Sequence, residues 1–201
     1  MGDAASAIPY LERVTATYAS DESLVDLGTA YLAVGRTDDA ARAFRRAIDI
    51  NPSRGDALTY LGLTLTASAR QAEAVAILER AVQLNAASGL TFAALSEAYA
   101  GVGDTSRAVK AAMVAAERSE DDAGVLKIAG RALLAVKNNA EAARLLTQVV
   151  RLNPDDPEVL TNLARAKAAL GDTGEASRLL RHALAVRPDY PPARRALRSA
   201  R

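Results

Sequence analysis

The sequence contains no cysteine and no tryptophan, and it has only two phenylalanines and six tyrosines among 201 residues. The absence of cysteine excludes disulfide bonds, thiolate nucleophiles and cysteine-based metal sites. Half of the chain is nevertheless apolar, and Ala and Leu supply most of this fraction. Because Ala and Leu are strong helix formers, the composition predicts an all-helical protein.

The chain also lacks a large net charge and long apolar runs. Its 25 basic and 24 acidic side chains argue against bulk electrostatic binding to nucleic acid or to an anionic membrane. Apolar stretches such as residues 111–116 are far too short for membrane insertion, and no secretory signal is visible. The sequence does not determine the cellular compartment of the protein, although the cytoplasm is slightly favoured. Gly2 and Ser6 fit the loose myristoylation pattern, but they also occupy repeat positions that explain them structurally.

The sequence contains no recognisable set of catalytic residues. The single histidine, His182, has no second ligand or nucleophile beside it, so we interpret it as an exposed surface residue. Glycine-containing stretches such as residues 171–175 belong to turns between helices and not to phosphate-binding loops. We therefore predict no catalytic residue, no metal site and no cofactor.

A period of 34 residues organises the chain. Pro52, Pro154 and Pro188 are separated by three periods and by one period of this length. Within each period, apolar residues at positions 4, 7 and 11 form one helical stripe, and those at positions 20, 24 and 27 form a second. Position 8 is small throughout, and position 20 is always alanine. Turn signals separate the stripes, so each period predicts two antiparallel amphipathic helices, A and B.

These features resemble the tetratricopeptide repeat, which has this period, a small residue at position 8, Ala at position 20 and Pro near position 32. The resemblance implies an all-α fold, a right-handed superhelix (α-solenoid) of antiparallel helix pairs. Lys167 departs from the pattern, because an apolar or aromatic residue is usual at position 11. We expect its stem to lie along the groove while its amine reaches solvent.

The predicted organisation is one continuous domain whose first repeat is incomplete. Its parts are an orphan helix B of a truncated repeat in residues 1–20, full repeats in 21–54, 55–88, 89–122, 123–156 and 157–190, and a capping helix in 191–201. An orphan B helix would expose part of an apolar face. Either the chain is a piece of a longer array, which we favour, or self-association covers this face.

The resemblance further implies that the A helices line a concave groove that holds a protein or peptide, through positions 2, 5, 6, 9 and 12. The candidate contact residues are Asp26, Thr29, Thr59, Tyr60, Leu63, Glu97, Lys127, Arg131, Asn162, Arg165 and Arg195. Tyr60 is the best single candidate for a strong contact, and packing against a neighbouring helix is its alternative role.

Charge changes sign along the chain. Residues 1–122 carry 11 basic and 17 acidic residues, a balance of −6, whereas residues 123–201 carry 14 and 7, a balance of +7. Screening acts over about 8 Å, so the two ends of such an array would meet a partner separately. We expect the basic half to receive an anionic segment, because arginine forks pair well with carboxylates. The alternative is that these charges only keep the surface soluble.

The function predicted from the sequence is a non-enzymatic scaffold for a protein or peptide, without nucleic-acid binding. Two alternatives stay open: a substrate-presenting or regulatory segment of a larger enzyme, and a self-assembling adaptor.

Overall fold

The computed structural model describes residues 4–199, and this part of the chain contains twelve helices and no strands. In chain order they are α1 (Ala4–Thr17), α2 (Asp21–Ala33), α3 (Thr37–Ile50), α4 (Gly55–Ala67), α5 (Gln71–Gln83), α6 (Gly89–Gly101), α7 (Thr105–Arg118), α8 (Ala123–Ala135), α9 (Asn139–Leu152), α10 (Pro157–Ala169), α11 (Thr173–Val186) and α12 (Pro191–Ser199). Gly2 and the last two residues of the predicted capping helix, 200–201, lie outside the described residues. None of the described helices is both long and apolar enough to cross a membrane.

The helices stack in the order of the chain. Helices α2 to α11 form five antiparallel pairs, and the second helix of each pair also packs against the first helix of the next. We call α2, α4, α6, α8, α10 and α12 the A helices, and α1, α3, α5, α7, α9 and α11 the B helices. Successive A helices touch one another, whereas successive B helices in the described chain share no comparable contact. The predicted all-α solenoid of helix pairs is therefore confirmed, with the A helices on its more tightly packed side.

The small residue at position 8 lets the two helices of a pair approach closely. A Cβ atom added at Gly28 would lie 2.4 Å from Cε1 of Phe44, and one added at Gly62 would lie 2.4 Å from Cγ of Leu78. Phe44 and Leu78 are fully buried residues at position 24. Because carbon atoms in contact are normally about 3.5–4.0 Å apart, these sites have no room for a methyl group.

Each A helix of the five pairs ends in the same left-handed turn residue at position 15. This residue is glycine in three repeats, with φ of 77° at Gly35, 82° at Gly103 and 88° at Gly171. The other two repeats place Ala69 and Lys137 there, with φ of 57° and 61°. Glycine is the usual residue in this conformation because it has no Cβ to clash with the backbone. The turn is thus conserved in shape even where its residue is not glycine.

The buried core divides in the third repeat. One cluster of buried residues extends from α1 to Ala111, and a second begins with Ala93 and Ala112. Phe92, which is only partly buried, packs against both clusters. At position 24 this repeat has Ala112 in place of the Phe or Leu of its neighbours. The third repeat therefore has less side-chain volume at the junction between its B helix and its A helix.

Helix α1 buries only one of its two apolar faces. Ile8 lies on the face of α1 that packs against α2, and it is only 6% exposed. Ala7, Leu11 and Val14 are half-buried, although the matching residues of α3 are fully buried. Tyr10 is 60% exposed. This face corresponds to the side on which every other B helix packs against the A helix of its own repeat.

Candidate binding groove on the A helices

One cleft on the A-helix side brings together four of the residues predicted from the sequence. Arg131 of α8, Asn162 and Arg165 of α10, and Arg195 of α12 line a cavity of about 740 Å³. We call this cavity the C-terminal cleft; the rest of its lining consists of Glu158, Thr161, Tyr190, Pro192 and Ala196. The arrangement follows from the helical period, because positions 2, 5, 6 and 9 of an A helix share one face.

Two of the predicted cations are already engaged with carboxylates. Arg131 donates from Nε to Oε1 of Glu97 at 2.6 Å and from Nη1 to Oε1 of Glu158 at 3.4 Å. Lys127 donates from Nζ to Oε2 of Glu158 at 3.3 Å and to Oδ2 of Asp156 at 3.4 Å. Burial alone would lower the pKa of Lys127, but the two carboxylates outweigh it and raise the pKa. These ion pairs connect α6, α8 and α10, so part of the predicted basic surface supports the groove itself.

Arg165 is the cation most available to a partner. It is exposed, and its Nη1 donates to Oδ1 of Asn162 at 3.4 Å. Within residues 4–199, no carboxylate forms an ion pair with Arg165. Asn162 is 8% exposed and therefore acts more as a support for Arg165 than as an open contact surface. Arg165 therefore offers its guanidinium to a partner beside Arg131 and Arg195 in the same cleft.

The cleft also has an apolar part, which the sequence analysis did not predict. Tyr190 is half-buried, and its ring centroid lies 5.5 Å from the guanidinium carbon of Arg187. Burial raises the pKa of Tyr190, and the charge of Glu158 acts in the same direction. Tyr190 occupies the last position of its repeat, where the two preceding repeats place the N-cap residues Asp122 and Asp156. The replacement of a capping aspartate by an aromatic residue at this position was the sequence feature from which the apolar part could have been predicted.

The candidates in the first half of the chain do not join this cleft. Asp26 is exposed on α2, and Thr29 is half-buried with its hydroxyl donating to the Asp26 carbonyl at 2.8 Å. Leu63 is partly buried against the core. Tyr60 stacks on Phe44 with ring centroids 5.7 Å apart and an interplanar angle of 22°, which favours the packing role for this residue.

Thr59 requires a correction. It is only 2% exposed, and its hydroxyl hydrogen-bonds to that of Thr91 at 2.7 Å and donates to the Gly55 carbonyl at 2.7 Å. The side chain therefore joins α4 to α6 and has no surface left for a partner. The sequence placed it on the correct helix face, but at a point where two A helices meet.

The remaining singled-out residues lie elsewhere. His182 is exposed, and its Nε2 lies 3.0 Å from Oδ1 of Asp155. Lys167 is half-buried and lines a separate cleft between α9 and α10, together with Arg144 and Arg151. In residues 4–199, no three His, Cys, Asp or Glu side chains are arranged to hold a metal ion.

Three protein-family models match the chain. Two describe the tetratricopeptide repeat and match residues 94–157 and 133–200. The third describes the middle TPR-like domain of cilia and flagella-associated protein 70 and matches residues 1–120. Comparison with curated protein sequences gives no match.

Solved structures with the same fold extend over nearly the whole chain. A thermophilic TPR protein of Thermus thermophilus aligns with 24% identity and a TM-score of 0.73, covering 90% of this chain and 98% of its own. The type IV pilus biogenesis factor PilW aligns with 16% identity and a TM-score of 0.80, covering 97% of this chain and 91% of its own. YrrB, described as a TPR protein with an unusual peptide-binding site, aligns with 17% identity and a TM-score of 0.65, covering 94% of this chain and 97% of its own. The chain belongs to the tetratricopeptide repeat family.

Proposed function

We propose that this protein is a non-enzymatic scaffold that holds a segment of a partner protein along its A helices, with an anionic part of that segment in the C-terminal cleft. Tetratricopeptide repeats commonly serve protein–protein interaction, and one structural neighbour is described as peptide-binding. The observation that carries the proposal is the exposed Arg165, which has no carboxylate partner among residues 4–199 and lies in the same cleft as Arg131 and Arg195.

The chemistry of the cleft suits a carboxylate. A guanidinium presents a planar fork of donors, and charge-assisted hydrogen bonds to a carboxylate are stronger than neutral ones. Arg165 sits beside the buried Asn162, which limits its freedom and reduces the entropy lost on binding. The bridging Glu158 shows that a carboxylate is accommodated between Arg131 and Lys127 in the unbound protein. A partner carboxylate would compete with Glu158 for these cations and would meet Arg165 without competition.

The apolar wall of the cleft adds a second requirement. Tyr190, Pro192 and Ala196 offer contact surface for an apolar side chain next to the arginines. Aromatic and arginine residues are the side chains that most often dominate binding energy at protein interfaces. The partner segment is therefore expected to place an apolar residue beside an acidic one.

Capture of partners with the intact chain tests this proposal. The wild-type protein is compared with Arg165→Glu Arg195→Glu, which reverses charge in the cleft, and with Arg178→Glu Arg181→Glu, which makes the same charge change on exposed residues of α11. Proteins retained by the wild type and by the α11 variant, but lost from the cleft variant, support the proposal. Equal retention by all three proteins would contradict it.

Self-association through α1 is a second candidate function. The half-buried stripe of Ala7, Leu11 and Val14 and the exposed Tyr10 carry this alternative. Analytical ultracentrifugation of the intact chain should then show a dimer that Leu11→Asp dissociates. A strict monomer at high concentration would eliminate this alternative and leave the scaffold proposal unaffected.

A further inference from the structure

The B-helix side carries a second cleft that the proposed function does not use. It lies between α5 and α7, with α6 as its floor, and has a volume of about 380 Å³. We call it the α5–α7 cleft; its lining consists of Glu79, Val82, Gln83, Phe92, Leu95, Tyr99, Arg107, Lys110, Ala111 and Val114. Cavities that bind small ligands are typically about 300–1,000 Å³ and mainly apolar with a few polar groups, and this cleft meets both conditions.

A comparison within the chain explains why the cleft exists here. The preceding repeat has the equivalent groove between α3 and α5, lined at the matching positions by Ile77 and Arg80. In the α5–α7 cleft these two positions carry Ala111 and Val114. The exchange of Ile77 for Ala111 removes volume above the floor, and the exchange of Arg80 for Val114 turns a charged rim apolar. The volume rises from about 270 Å³ to about 380 Å³.

The floor of the cleft is aromatic, with Phe92 and Tyr99 contributed by α6. Phe92 is partly buried and packs at the junction of the two core clusters. A cavity of roughly 150 Å³ can hold benzene, so a volume of about 380 Å³ has room for about 15 heavy atoms, which is two fused rings and a small head group. Two fused aromatic rings have this size, and rings prefer offset or edge contacts with other aromatic rings.

The rim of the cleft carries the polar groups, of which Arg107 is paired with carboxylates and Lys110 is not paired within the described chain. Glu79 accepts hydrogen bonds from the Tyr99 hydroxyl at 2.7 Å and from Nη1 of Arg107 at 3.0 Å, so its charge is compensated. Arg107 is also bound by Asp104 at 2.6 Å. Lys110 lies one helical turn after Arg107, is exposed, and forms no ion pair within the described chain.

We propose that the α5–α7 cleft binds a small aromatic anion, a planar ring system about the size of naphthalene that places one carboxylate beside Lys110. The rings would lie against Phe92 and the edge of Tyr99, between the apolar walls of Val82 and Val114, because Arg107 already covers a face of the Tyr99 ring at 4.5 Å from its centroid. Because this cleft shares no lining residue with the C-terminal cleft, the ligand would bind independently of a partner there.

Three probes of matched ring system test the proposal by calorimetric titration of the intact chain. Naphthoate is an anion, naphthylmethanol is neutral and naphthylmethylammonium is a cation. Naphthoate should bind roughly fivefold more tightly than the alcohol, because one exposed charge pair at contact distance contributes on the order of a fivefold change in affinity. The cation should bind most weakly. Equal or tighter binding of the cation would overturn the assignment of the head group.

Variants locate the site. Ala111→Ile Val114→Arg gives the cleft the residues of the preceding repeat and should abolish naphthoate binding. If circular dichroism shows that this variant is not folded, Val114→Arg alone is used, since that residue is only half-buried at the rim. Lys110→Gln should remove the preference for naphthoate over the alcohol, whereas Lys137→Gln, an exposed lysine in a distant turn, should not. Unchanged naphthoate binding by the folded Val114 variant would overturn the proposal.

Discussion

The contact between the residues at positions 8 and 24 of a repeat, such as Gly62 and Leu78, predicts how substitutions there change the free energy of unfolding. At Gly62 an added Cβ would lie 2.4 Å from Cγ and 2.5 Å from Cδ2 of Leu78, about 1 Å closer than an ordinary carbon contact. Gly62→Ala forces Leu78 to move, and such overpacking costs about 1–3 kcal/mol. Replacement of glycine within a helix contributes about 1 kcal/mol in the opposite direction. The expected net loss is therefore about 0–2 kcal/mol.

The partner substitution and the double variant make this prediction specific. Leu78 is fully buried, so Leu78→Ala should lower the free energy of unfolding by about 2–5 kcal/mol. In Gly62→Ala Leu78→Ala the clash is gone and the new methyl group fills part of the cavity. The double variant should then be about 1–3 kcal/mol more stable than the sum of the two single effects predicts.

Urea unfolding of the intact chain, followed by circular dichroism, measures all four proteins of this cycle. Gly174→Ala is a matched control, because a Cβ added at that helical residue meets no atom within 4 Å. It should be neutral or stabilising by up to about 1 kcal/mol. Additive effects of the two core substitutions, within about 0.5 kcal/mol, would refute the steric account of the small position.

Three further predictions follow from single contacts. Ala69→Gly should raise the free energy of unfolding by up to about 1 kcal/mol, because Ala69 adopts φ of 57°, and thermal melting measures this. Burial and the hydrogen bond to Glu79 raise the pKa of Tyr99 to about 12, so stability that is present below pH 10 should fall as the pH rises from about 10 to about 12. Tyr99→Phe should reduce this fall in stability without removing it, because the pKa of Tyr31 is also raised to about 12; an unchanged slope would contradict the assignment. Glu158→Gln should tighten binding of an acidic partner segment several-fold, because it removes the carboxylate that Lys127 and Arg131 share and leaves each of them with one internal partner, Asp156 and Glu97. Calorimetry with the captured partner checks this.

The regular part of the fold was predictable because it rests on local rules. The 34-residue period, the apolar stripes and the small residue at position 8 are properties of each repeat alone, and each is visible without knowledge of its neighbours. The turn at position 15 was only partly predictable. Glycine indicates the turn in three repeats, at Gly35, Gly103 and Gly171. In the other two repeats, Ala69 and Lys137 adopt the same left-handed conformation only because the adjoining helices impose it.

The site was less predictable because it depends on contacts between repeats. The helical period placed Arg131, Asn162, Arg165 and Arg195 on a common face, and the structure brings them into one cleft. The helical period alone did not show that Glu158 and Glu97 form ion pairs with Arg131, because these contacts depend on the spacing between successive A helices. The burial of Thr59 between two A helices has the same origin.

A double-mutant cycle across the interface tests whether Arg165 binds a carboxylate of the partner segment. The partner segment captured by the intact chain is titrated by calorimetry into the wild type and into Arg165→Gln, first with its acidic residue and then with the matching amide in its place. We expect Arg165 and that carboxylate to be coupled by about 0.5–1.5 kcal/mol, so that the loss of either removes most of the benefit of the other. Additive losses, with no coupling between Arg165 and any acidic residue of the segment, would contradict carboxylate binding in the C-terminal cleft.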